Sequence, residues 1–201
     1  MIKNLIFDFG KVLVDYDFDA FFLQHIPDEK RRNAFKPLFY NETMQQRFDR
    51  EDETLEAIGN EVIAQHPELA EEVRFFINHY EELVIGEIEG MRELITRLKS
   101  EGFRIYGLSN WCSKVYATMA QYEIFKLLDG YVVSSEEKSI KPEKKIYLRL
   151  FEKYDLKPEE CLFADDKMVN IDASRQVGMD GIVFENTTQY ERELRQRLKN
   201  Q

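Results

Sequence analysis

The sequence predicts a three-layer, Rossmann-like α/β fold, in which a parallel sheet lies between helices and a helical block is inserted after the first strand. Two observations support this prediction. From residue 84 onward, short β-forming segments alternate with segments of helical periodicity, which is typical of a parallel sheet with right-handed crossovers. Between the first strand and residue 83, apolar residues recur at helical spacing only. We therefore assign residues 1–15 and 84–201 to an α/β core and residues 16–83 to a helical insertion.

The first strand ends in a carboxylate. Leu5, Ile6 and Phe7 precede Asp8, and Gly10 follows it. Such a run predicts a buried strand that places Asp8 at its carboxyl end. Burying an ionised carboxylate costs several kcal/mol unless a cation or hydrogen-bond donors compensate. Asp8 is therefore a candidate functional residue, although an Asp in this position can also cap the following turn.

The inserted block contains little β-branched sequence and is predicted to be helical. Pro27 and Pro67 lie where helices would begin or end, and Asp28 is a candidate helix start. Four apolar groups each predict one buried helix face: Phe18, Phe21, Phe22 and Ile26; Phe35, Leu38 and Phe39; Leu55, Ile58, Val62 and Ile63; and Leu69, Val73, Phe76 and Ile77.

The remainder of the chain predicts helices and strands in alternation. The helices are predicted over 91–100, 114–121, 144–154 and 169–176, and the strands over 103–108, 131–133, 161–164 and 181–184. Ligands of such parallel sheets bind beyond the carboxyl ends of the strands. Polar residues at those ends are therefore the candidates for a ligand site.

Unusual polar residues follow the strands of the predicted sheet, and they are Asp8, Ser109, Asn110, Lys141, Asp165 and Asp166. Each type has an ordinary structural explanation, because Ser-Asn is a common helix cap, lysine is usually exposed and an acidic pair favours a helix N-terminus. At one sheet edge, however, three carboxylates would repel each other unless a divalent cation lay among them. Hard oxygen ligands favour Mg²⁺. The set therefore predicts a nucleophile, a hydrogen-bond donor to an anion, a fixed cation and a metal site.

Composition limits the classes of partner. The chain has 201 residues, 43% hydrophobic and 33% charged, as in a globular protein. Its net charge of -10 argues against a nucleic-acid partner, which requires a basic surface. No apolar run approaches the ~18 residues of a membrane span, and the start lacks a signal-peptide pattern. Cys112 and Cys161 lack disulfide or metal spacing, so we expect free thiols in the cytoplasm.

The order and spacing of Asp8, Ser109, Lys141 and the Asp165-Asp166 pair resemble the four motifs of the haloacid dehalogenase superfamily, along nearly the whole chain. Residues 16–83 are similar to the α-helical cap that this family inserts after its first motif. Segments 7–15 and 163–170 most resemble the branch that holds α-glucose-1-phosphate phosphatases and the phosphatase domain of epoxide hydrolases.

The resemblance implies a Mg²⁺-dependent phosphatase of small phosphorylated metabolites, with sugar phosphates, including anomeric 1-phosphates, as candidate substrates. Asp8 would attack phosphorus to form an aspartyl-phosphate, which water then hydrolyses. Ser109, Lys141 and the backbone of Asn110 would bind the phosphate. The metal-binding residues would be Asp8, the Gly10 carbonyl, Asp165 and Asp166, with Asn170 nearby. Which member of the adjacent Asp pair ligates the metal directly stays open.

One position departs from the family pattern. The family carries a second Asp two residues after the nucleophile, as the acid for the leaving group, whereas this chain has Gly10 there and Val12 in place of the usual Thr. The missing acid predicts rates that depend steeply on leaving-group acidity. Three interpretations stay open. The protein is a phosphatase for easily expelled groups or one that uses Asp15 or Asp17 instead; it is a 2-haloacid dehalogenase-type hydrolase; or it binds phosphorylated ligands with little catalysis.

Residues 47–52 are the candidate substrate-selecting segment of the cap. We expect this stretch to be a loop between cap helices, and it combines two guanidinium groups with carboxylates. Asp49 and Arg50 are the residues that we assign to substrate binding there, with an ordinary solvated loop as the alternative. No oligomeric state is predicted.

Overall fold

The protein is built on a parallel β-sheet, seen in a computed structural model that describes residues 1–199. The strands, in chain order, are β1 (Asn4–Phe7), β2 (Val14–Tyr16), β3 (Val84–Glu87), β4 (Arg104–Ser109), β5 (Gly130–Val133), β6 (Cys161–Asp165) and β7 (Asp180–Val183). Within the described residues, five of these strands form one sheet in the order β5-β4-β1-β6-β7, and every neighbouring pair is parallel. The predicted α/β fold is therefore confirmed.

Helices flank this sheet and fill the insertion. In chain order they are α1 (Phe18–His25), α2 (Glu29–Phe39), α3 (Glu42–Arg50), α4 (Leu55–Gln65), α5 (Ala70–Asn78), α6 (Met91–Ser100), α7 (Val115–Gln121), α8 (Ser134–Glu137), α9 (Lys144–Tyr154), α10 (Met168–Gln176) and α11 (Thr187–Lys199). The predicted bounds of α6 and α9 are confirmed, whereas α8 and α11 were not predicted, the former because four residues show no periodicity. None of the helices within residues 1–199 has the length and apolarity needed to cross a membrane.

β1 lies at the centre of the sheet. Its residues Leu5, Ile6 and Phe7 are fully buried. β1 pairs with β4 on one side and with β6 on the other, so that Phe7 is aligned with Gly107 and Ala164. Because parallel strands end at the same edge, the residues that follow these three positions emerge close together. This register gives the physical basis for the cluster that the sequence predicts.

Helices cover both faces of the sheet, which gives the predicted three layers. On one face, Ile6, Leu108 and Phe163 pack with α9 and α10, whose contributions include Tyr147 and Ile171. On the other face, the strands pack against α6 and α11 and also against the inserted helices. One apolar cluster therefore runs from that face into the insertion, and buried contacts anchor the insertion to the sheet.

Buried aromatic rings pack against each other within the insertion, α1 to α5. The ring centroid of Phe76 lies 4.9 Å from that of Phe39, 5.8 Å from that of Phe35 and 6.1 Å from that of Phe48. All four rings are buried, and truncating such a ring to Ala typically costs about 3–5 kcal/mol. Side-chain oxygens cap the first four helices, at Asp17, Asp28, Asn41 and Thr54. The predicted helix start at Asp28 is confirmed.

The chain leaves the core and returns to it at one place. β2 and β3 pair antiparallel, with Val14 opposite Glu87 and Tyr16 opposite Val84. The sequence does not predict this pair, because strands of three and four residues are too short to show an alternating pattern. The pair places Tyr16, the last residue of β2, close to the end of β1.

Candidate active site

Asp8, Lys141 and Asp165 meet at the carboxyl edge of the sheet. The Lys141 Nζ lies 2.9 Å from Asp8 Oδ1 and 2.7 Å from Asp165 Oδ2. Burial lowers the pKa of Lys141, but the charges of Asp165 and Asp8 outweigh this effect and leave that pKa above its ordinary value. Lys141 is only 3% exposed, so the expectation for an ordinary surface lysine does not apply. The side chain is buried because two carboxylates pair with it.

Asn110 fixes the backbone of Lys141. The Lys141 N–H donates to Asn110 Oδ1 at 2.7 Å, and Asn110 Nδ2 donates to the Lys141 carbonyl at 2.9 Å. Ser109 and Asn110 do not cap a helix, because α7 begins only at Val115. The ordinary cap explanation for this pair is therefore wrong, and Asn110 instead joins the end of β4 to the loop that carries the lysine.

The Ser109 hydroxyl is buried and has no hydrogen-bond partner among the described residues. Ser109 is the last residue of β4, next to the central strand that ends before Asp8. Leaving a buried hydroxyl unpaired costs about 1–3 kcal/mol. A phosphate oxygen bound at this edge would supply the missing partner.

Asp165 and Asp166 are adjacent but lie in different surroundings. Asp165 is fully buried, and its oxygens accept hydrogen bonds from Asn170 Nδ2 at 2.9 and 3.0 Å in addition to the contact with Lys141. Asp166, in contrast, lines a cavity together with Asp8. Asp165 therefore holds neighbouring side chains in place, while Asp166 faces the space in which a ligand can bind.

The carboxylates fit a metal ion. One oxygen from each of Asp8, Asp165 and Asp166 lies within 4.8 Å of the others, and three hard oxygen donors at this spacing suit Mg²⁺. Burial raises the pKa of Asp8 to about 7, with Lys141 opposing this rise and Asp165 adding to it. Burial, and then Asp165, also raise the pKa of Asp166. A divalent cation would offset this excess of negative charge and favour the ionised form of Asp8.

Four of the described aromatic residues line the cavity above the sheet edge. Tyr16, Phe18, Tyr80 and Trp111 line it, together with Lys167. None of these five is among the site residues predicted from the sequence, where Phe18 is assigned only to a buried helix face. Trp111 follows the Ser-Asn pair directly and Lys167 follows the Asp pair, so adjacency to a motif was the available signal for these two. The tyrosines and the phenylalanine reach the cavity through tertiary packing, which leaves no local pattern.

The predicted loop at 47–52 is wrong, because its first four residues form the last turn of a helix. α3 continues to Arg50, and Glu51 ends it in a left-handed conformation with φ of 48°. Asp49 lines the cavity, whereas Arg50 forms an ion pair with Glu143 of the core. The structure therefore brings Asp49, but not Arg50, to the candidate site. Helix geometry explains the difference, since adjacent helical residues point about 100° apart.

Tyr16 takes the space beside Gly10, where the haloacid dehalogenase pattern has its acid. A Cβ built on Gly10 would lie 2.8 Å from Tyr16 Cε1, closer than van der Waals contact allows. The two carboxylates considered as replacements are engaged elsewhere. Asp15 accepts a hydrogen bond of 2.5 Å from Lys11 Nζ, and Asp17 caps α1. Neither of them lines the cavity.

A family model for haloacid dehalogenase-like hydrolases matches residues 2–178, which include every motif position described above. The chain belongs to the haloacid dehalogenase-like hydrolase family. The protein is therefore an enzyme of the hydrolase class. The resemblance that the sequence shows is therefore confirmed at the level of the superfamily.

Two curated relatives of this hydrolase are named for the hydrolysis of organic phosphates. The chain is 31% identical over 108 residues to a sesquiterpene phosphatase of Aspergillus oryzae, a match that covers 53% of the chain and 55% of that protein. It is 25% identical over 107 residues to a chloroplast flavin mononucleotide hydrolase of Arabidopsis thaliana, covering 53% of the chain and 44% of that protein. The chain thus spans about half the length of the curated relatives it matches.

Solved structures of the family share the fold at low sequence identity. A haloacid dehalogenase-family enzyme of Bacteroides thetaiotaomicron, solved with magnesium and inorganic phosphate, matches with a TM-score of 0.73 at 19% identity, over 92% of this chain and 96% of that one. L-2-haloacid dehalogenase of Xanthobacter autotrophicus matches with a TM-score of 0.68 at 14% identity, over 90% and 76%. At these identities, the likeness shows the fold that both kinds of enzyme have in common.

Proposed function

We propose that this hydrolase is a Mg²⁺-dependent phosphatase of small phosphorylated metabolites that works through an aspartyl-phosphate on Asp8. One observation carries the proposal. At a single sheet edge, Asp8 pairs with the buried Lys141, and its carboxylate lies within 4.8 Å of those of Asp165 and Asp166. In this proposal, residues 1–15 and 84–201 form the catalytic core and residues 16–83 form the cap.

Asp8 is the nucleophile of the proposed reaction. The Phe9 N–H donates to its Oδ1 at 2.7 Å and Lys141 Nζ lies 2.9 Å from the same oxygen, which fixes the orientation of the carboxylate. Ser109, Lys141 and the backbone N–H of Asn110 bind the phosphate oxygens. These donors are already in place before the reaction, so they stabilise charge as it develops on the phosphoryl group.

Asp8, the Gly10 carbonyl and Asp166 would hold the metal ion, with Asp165 behind them. Asp165 is suited to a supporting role, because its oxygens are engaged by Lys141 and by an asparagine. When bound, Mg²⁺ supplies neutralisation of phosphate charge and alignment of the phosphoryl group. The magnesium and phosphate complex of the Bacteroides enzyme, which has the same fold, supports this choice of ion.

Sugar phosphates, with anomeric 1-phosphates among them, are the proposed substrates. The aromatic rings of Tyr16, Phe18, Tyr80 and Trp111, which line the cavity, offer flat apolar surface to the organic part of a phosphate ester. The names of the two curated relatives support an organic phosphate as the substrate class. We also propose that the protein belongs to the branch that holds α-glucose-1-phosphate phosphatases and the phosphatase domain of epoxide hydrolases. Its proposed location is the cytoplasm.

A dehalogenase is the second candidate, and the absence of an acid at Gly10 favours it. The acidic cluster argues against it. A 2-haloacid carries its own negative charge, and displacement of halide needs no metal, so Asp166 would have no role facing the cavity.

A substrate test separates these candidates. The purified protein is supplied with Mg²⁺ and offered an aryl phosphate, a panel of sugar phosphates and, separately, a 2-haloacid. We expect release of inorganic phosphate that EDTA abolishes and added Mg²⁺ restores. Halide release without phosphate release would contradict the proposal in favour of a dehalogenase, and binding of phosphate esters without turnover would contradict it in favour of a binding protein.

A further inference from the structure

We infer that Asp49, on helix α3 of the insertion, transfers the protons of the reaction, the role that Gly10 leaves vacant in the core. This inference deepens the proposed phosphatase function and rests on it. Asp49 lines the same cavity as Asp8. Within residues 1–199, no side chain or backbone N–H donates a hydrogen bond to its carboxylate. Burial raises the pKa of this carboxyl group, and the charges of Lys167 and Lys141 lower it against that larger effect. The group is therefore free to bond a substrate or a water molecule.

Elimination leads to the same residue. Among the described residues, the carboxylates that line the cavity are those of Asp8, Asp49 and Asp166. Asp8 is the proposed nucleophile, and Asp166 is a proposed metal ligand. Asp15 and Asp17 are engaged outside the cavity, by Lys11 and by the first turn of α1. Asp49 is the carboxylate that remains for proton transfer.

Hydrogen bonds with the core fix the end of α3 that carries Asp49. The Ser134 hydroxyl, at the start of α8, donates a hydrogen bond of 2.5 Å to the Asp49 carbonyl. The next residue, Arg50, forms a two-point contact with the carboxylate of Glu143, in the loop before α9. Bidentate guanidinium pairs fix orientation as well as distance. The two contacts therefore set the position of Asp49 relative to the sheet edge.

Glu51 adds further hydrogen bonds between this end of α3 and the core. Its carboxylate accepts hydrogen bonds from the Ser113 backbone N–H at 2.6 Å and from the Ser113 hydroxyl at 2.8 Å, and its carbonyl accepts one from Lys138. Glu51 has φ of 48°, a left-handed conformation that costs a residue with a side chain about 1–2 kcal/mol. The bonds from the core offset this cost. Three consecutive residues are thus held by three core segments, and such fixed geometry is what proton transfer needs.

The electrostatic surroundings of Asp49 suit a group that both gives and takes a proton. Burial raises the pKa of Asp49 to about 7, and Lys167 and Lys141 moderate the increase. Burial also raises the pKa of Tyr16, which therefore stays a neutral phenol at physiological pH. A general acid is most effective when its pKa lies near the working pH. The ionisable groups that share the cavity with Asp49 are Asp8, Tyr16, Tyr80, Lys141, Asp166 and Lys167.

The proposed proton transfers balance in two steps. In the first, an oxygen of Asp8 bonds to phosphorus, the bond from phosphorus to the leaving oxygen breaks, and the carboxyl proton of Asp49 moves to that oxygen, which leaves as an alcohol. In the second, the Asp49 carboxylate takes a proton from water, the water oxygen bonds to phosphorus and the bond to Asp8 breaks. Inorganic phosphate leaves, and both carboxyl groups return to their starting states.

Hydrolysis rates over phosphate esters of graded leaving-group acidity test this role. For the wild type we expect a shallow dependence, in place of the steep one that Gly10 alone predicts, because Asp49 protonates the leaving oxygen. For Asp49→Asn we expect a loss of about 10²–10⁴-fold in kcat/KM with primary alkyl phosphates and a much smaller loss with p-nitrophenyl phosphate. With the latter ester the variant should also release a burst of nitrophenol, because the aspartyl-phosphate then lacks the base for its hydrolysis.

Controls keep a structural effect apart from a catalytic one. Asp52→Asn makes the same change on an exposed carboxylate of the same segment, 64% exposed, and should keep the shallow dependence. Asp49→Glu retains an acid and should restore part of the alkyl-phosphate rate, which provides a second measurement if the Asn variant folds poorly. Equal losses across the whole ester series would overturn the inference and leave the phosphatase proposal standing. Absence of phosphate release from every ester by the wild type would overturn the phosphatase proposal and the inference with it.

Discussion

The sheet edge and the end of α3 both present carboxylates to the cavity, and burial raises the pKa of both Asp8 and Asp49 to about 7. Their partners differ. Asp8 lies 2.9 Å from the Lys141 ammonium and accepts a hydrogen bond from the Phe9 N–H, whereas no such bond to the Asp49 carboxylate is found within residues 1–199. Because the two pKa values are alike, the contacts make the difference. The ammonium and the N–H hold the Asp8 carboxylate in place for attack, whereas the Asp49 carboxyl group is free to bond a substrate or a water molecule. Both residues are aspartates, so their contacts decide that Asp8 is the proposed nucleophile and that Asp49 transfers protons.

The largest expected effect comes from removing the nucleophile. Asp8→Asn should lower turnover to below a few per cent of wild type, because an amide cannot form the aspartyl-phosphate. The free energy of unfolding should stay within about 1 kcal/mol of wild type, since Lys141 keeps its contact with Asp165. Steady-state hydrolysis with Mg²⁺, alongside a thermal melt, measures both quantities. Asp15→Asn, outside the cavity, is the matched control, and retention of activity by the Asp8 variant would remove Asp8 from its role.

Breaking the ion pairs of the sheet edge should affect stability as well as activity. Lys141→Met leaves Asp8 and Asp165 buried without their ammonium, and removing one partner of a buried pair costs about 3–5 kcal/mol. Urea unfolding in EDTA measures this loss. Lys167→Met is the control, because Lys167 lines the same cavity without an ion pair among the described residues, and it should cost less than about 1 kcal/mol. Equal stability of the two variants would contradict the contrast between paired and unpaired charges.

The sheet edge could be predicted from the sequence because it depends on local pattern and on parallel register. The apolar run that ends at Phe7 predicts a buried strand, and the register then fixes where Asp8, Ser109 and Asp165 emerge. The environments of the two adjacent Asp residues could not be predicted. Their difference arises from the hydrogen bonds that Asn170 donates across the first turn of α10.

The cap side of the cavity could be predicted only in part. Helical periodicity predicts the inserted helices, and composition alone singled out Asp49. The direction in which Asp49 points depends on the packing of α3 against the core through Ser134 and Glu143, residues that lie more than 80 positions away in the chain. Likewise, Tyr16 fills the space beside Gly10 through the pairing of β2 with β3. Contacts at such separation leave no trace in local pattern.

A smaller effect should separate the adjacent carboxylates of the metal site. Asp166→Asn should raise the Mg²⁺ concentration for half-maximal activity by more than about tenfold, with little change in KM at saturating metal, because Asp166 faces the cavity. Asp165→Asn should instead lower the unfolding free energy, since Lys141 and Asn170 lose a charged partner. Metal titrations of the rate, with unfolding curves, measure the two outcomes. Activity that survives exhaustive chelation would contradict the metal site altogether.

The smallest effect that we expect concerns the stability of the metal-free protein as a function of pH. The pKa of Asp49 is higher in the folded protein, at about 7, than its ordinary value of 3.8. The folded state therefore binds this proton more tightly, and the wild type loses stability as pH rises from about 4 to about 7. Asp49→Asn removes this loss. The unfolding free energy of the variant relative to wild type should increase over that range, by about 1 kcal/mol or more, and level off above pH 8.

Urea unfolding in EDTA between pH 5 and pH 8 measures this difference. Asp8 titrates in the same range, but it is present in both proteins, so its contribution largely cancels in the comparison. Asp52→Asn, which removes an exposed carboxylate of the same segment, is the matched control. If Asp49→Asn gave a pH-independent difference, the proton on Asp49 would be no more tightly held in the folded protein than in the unfolded one. The role assigned to Asp49 would then fail, while the nucleophile Asp8 and its partner Lys141 would keep theirs.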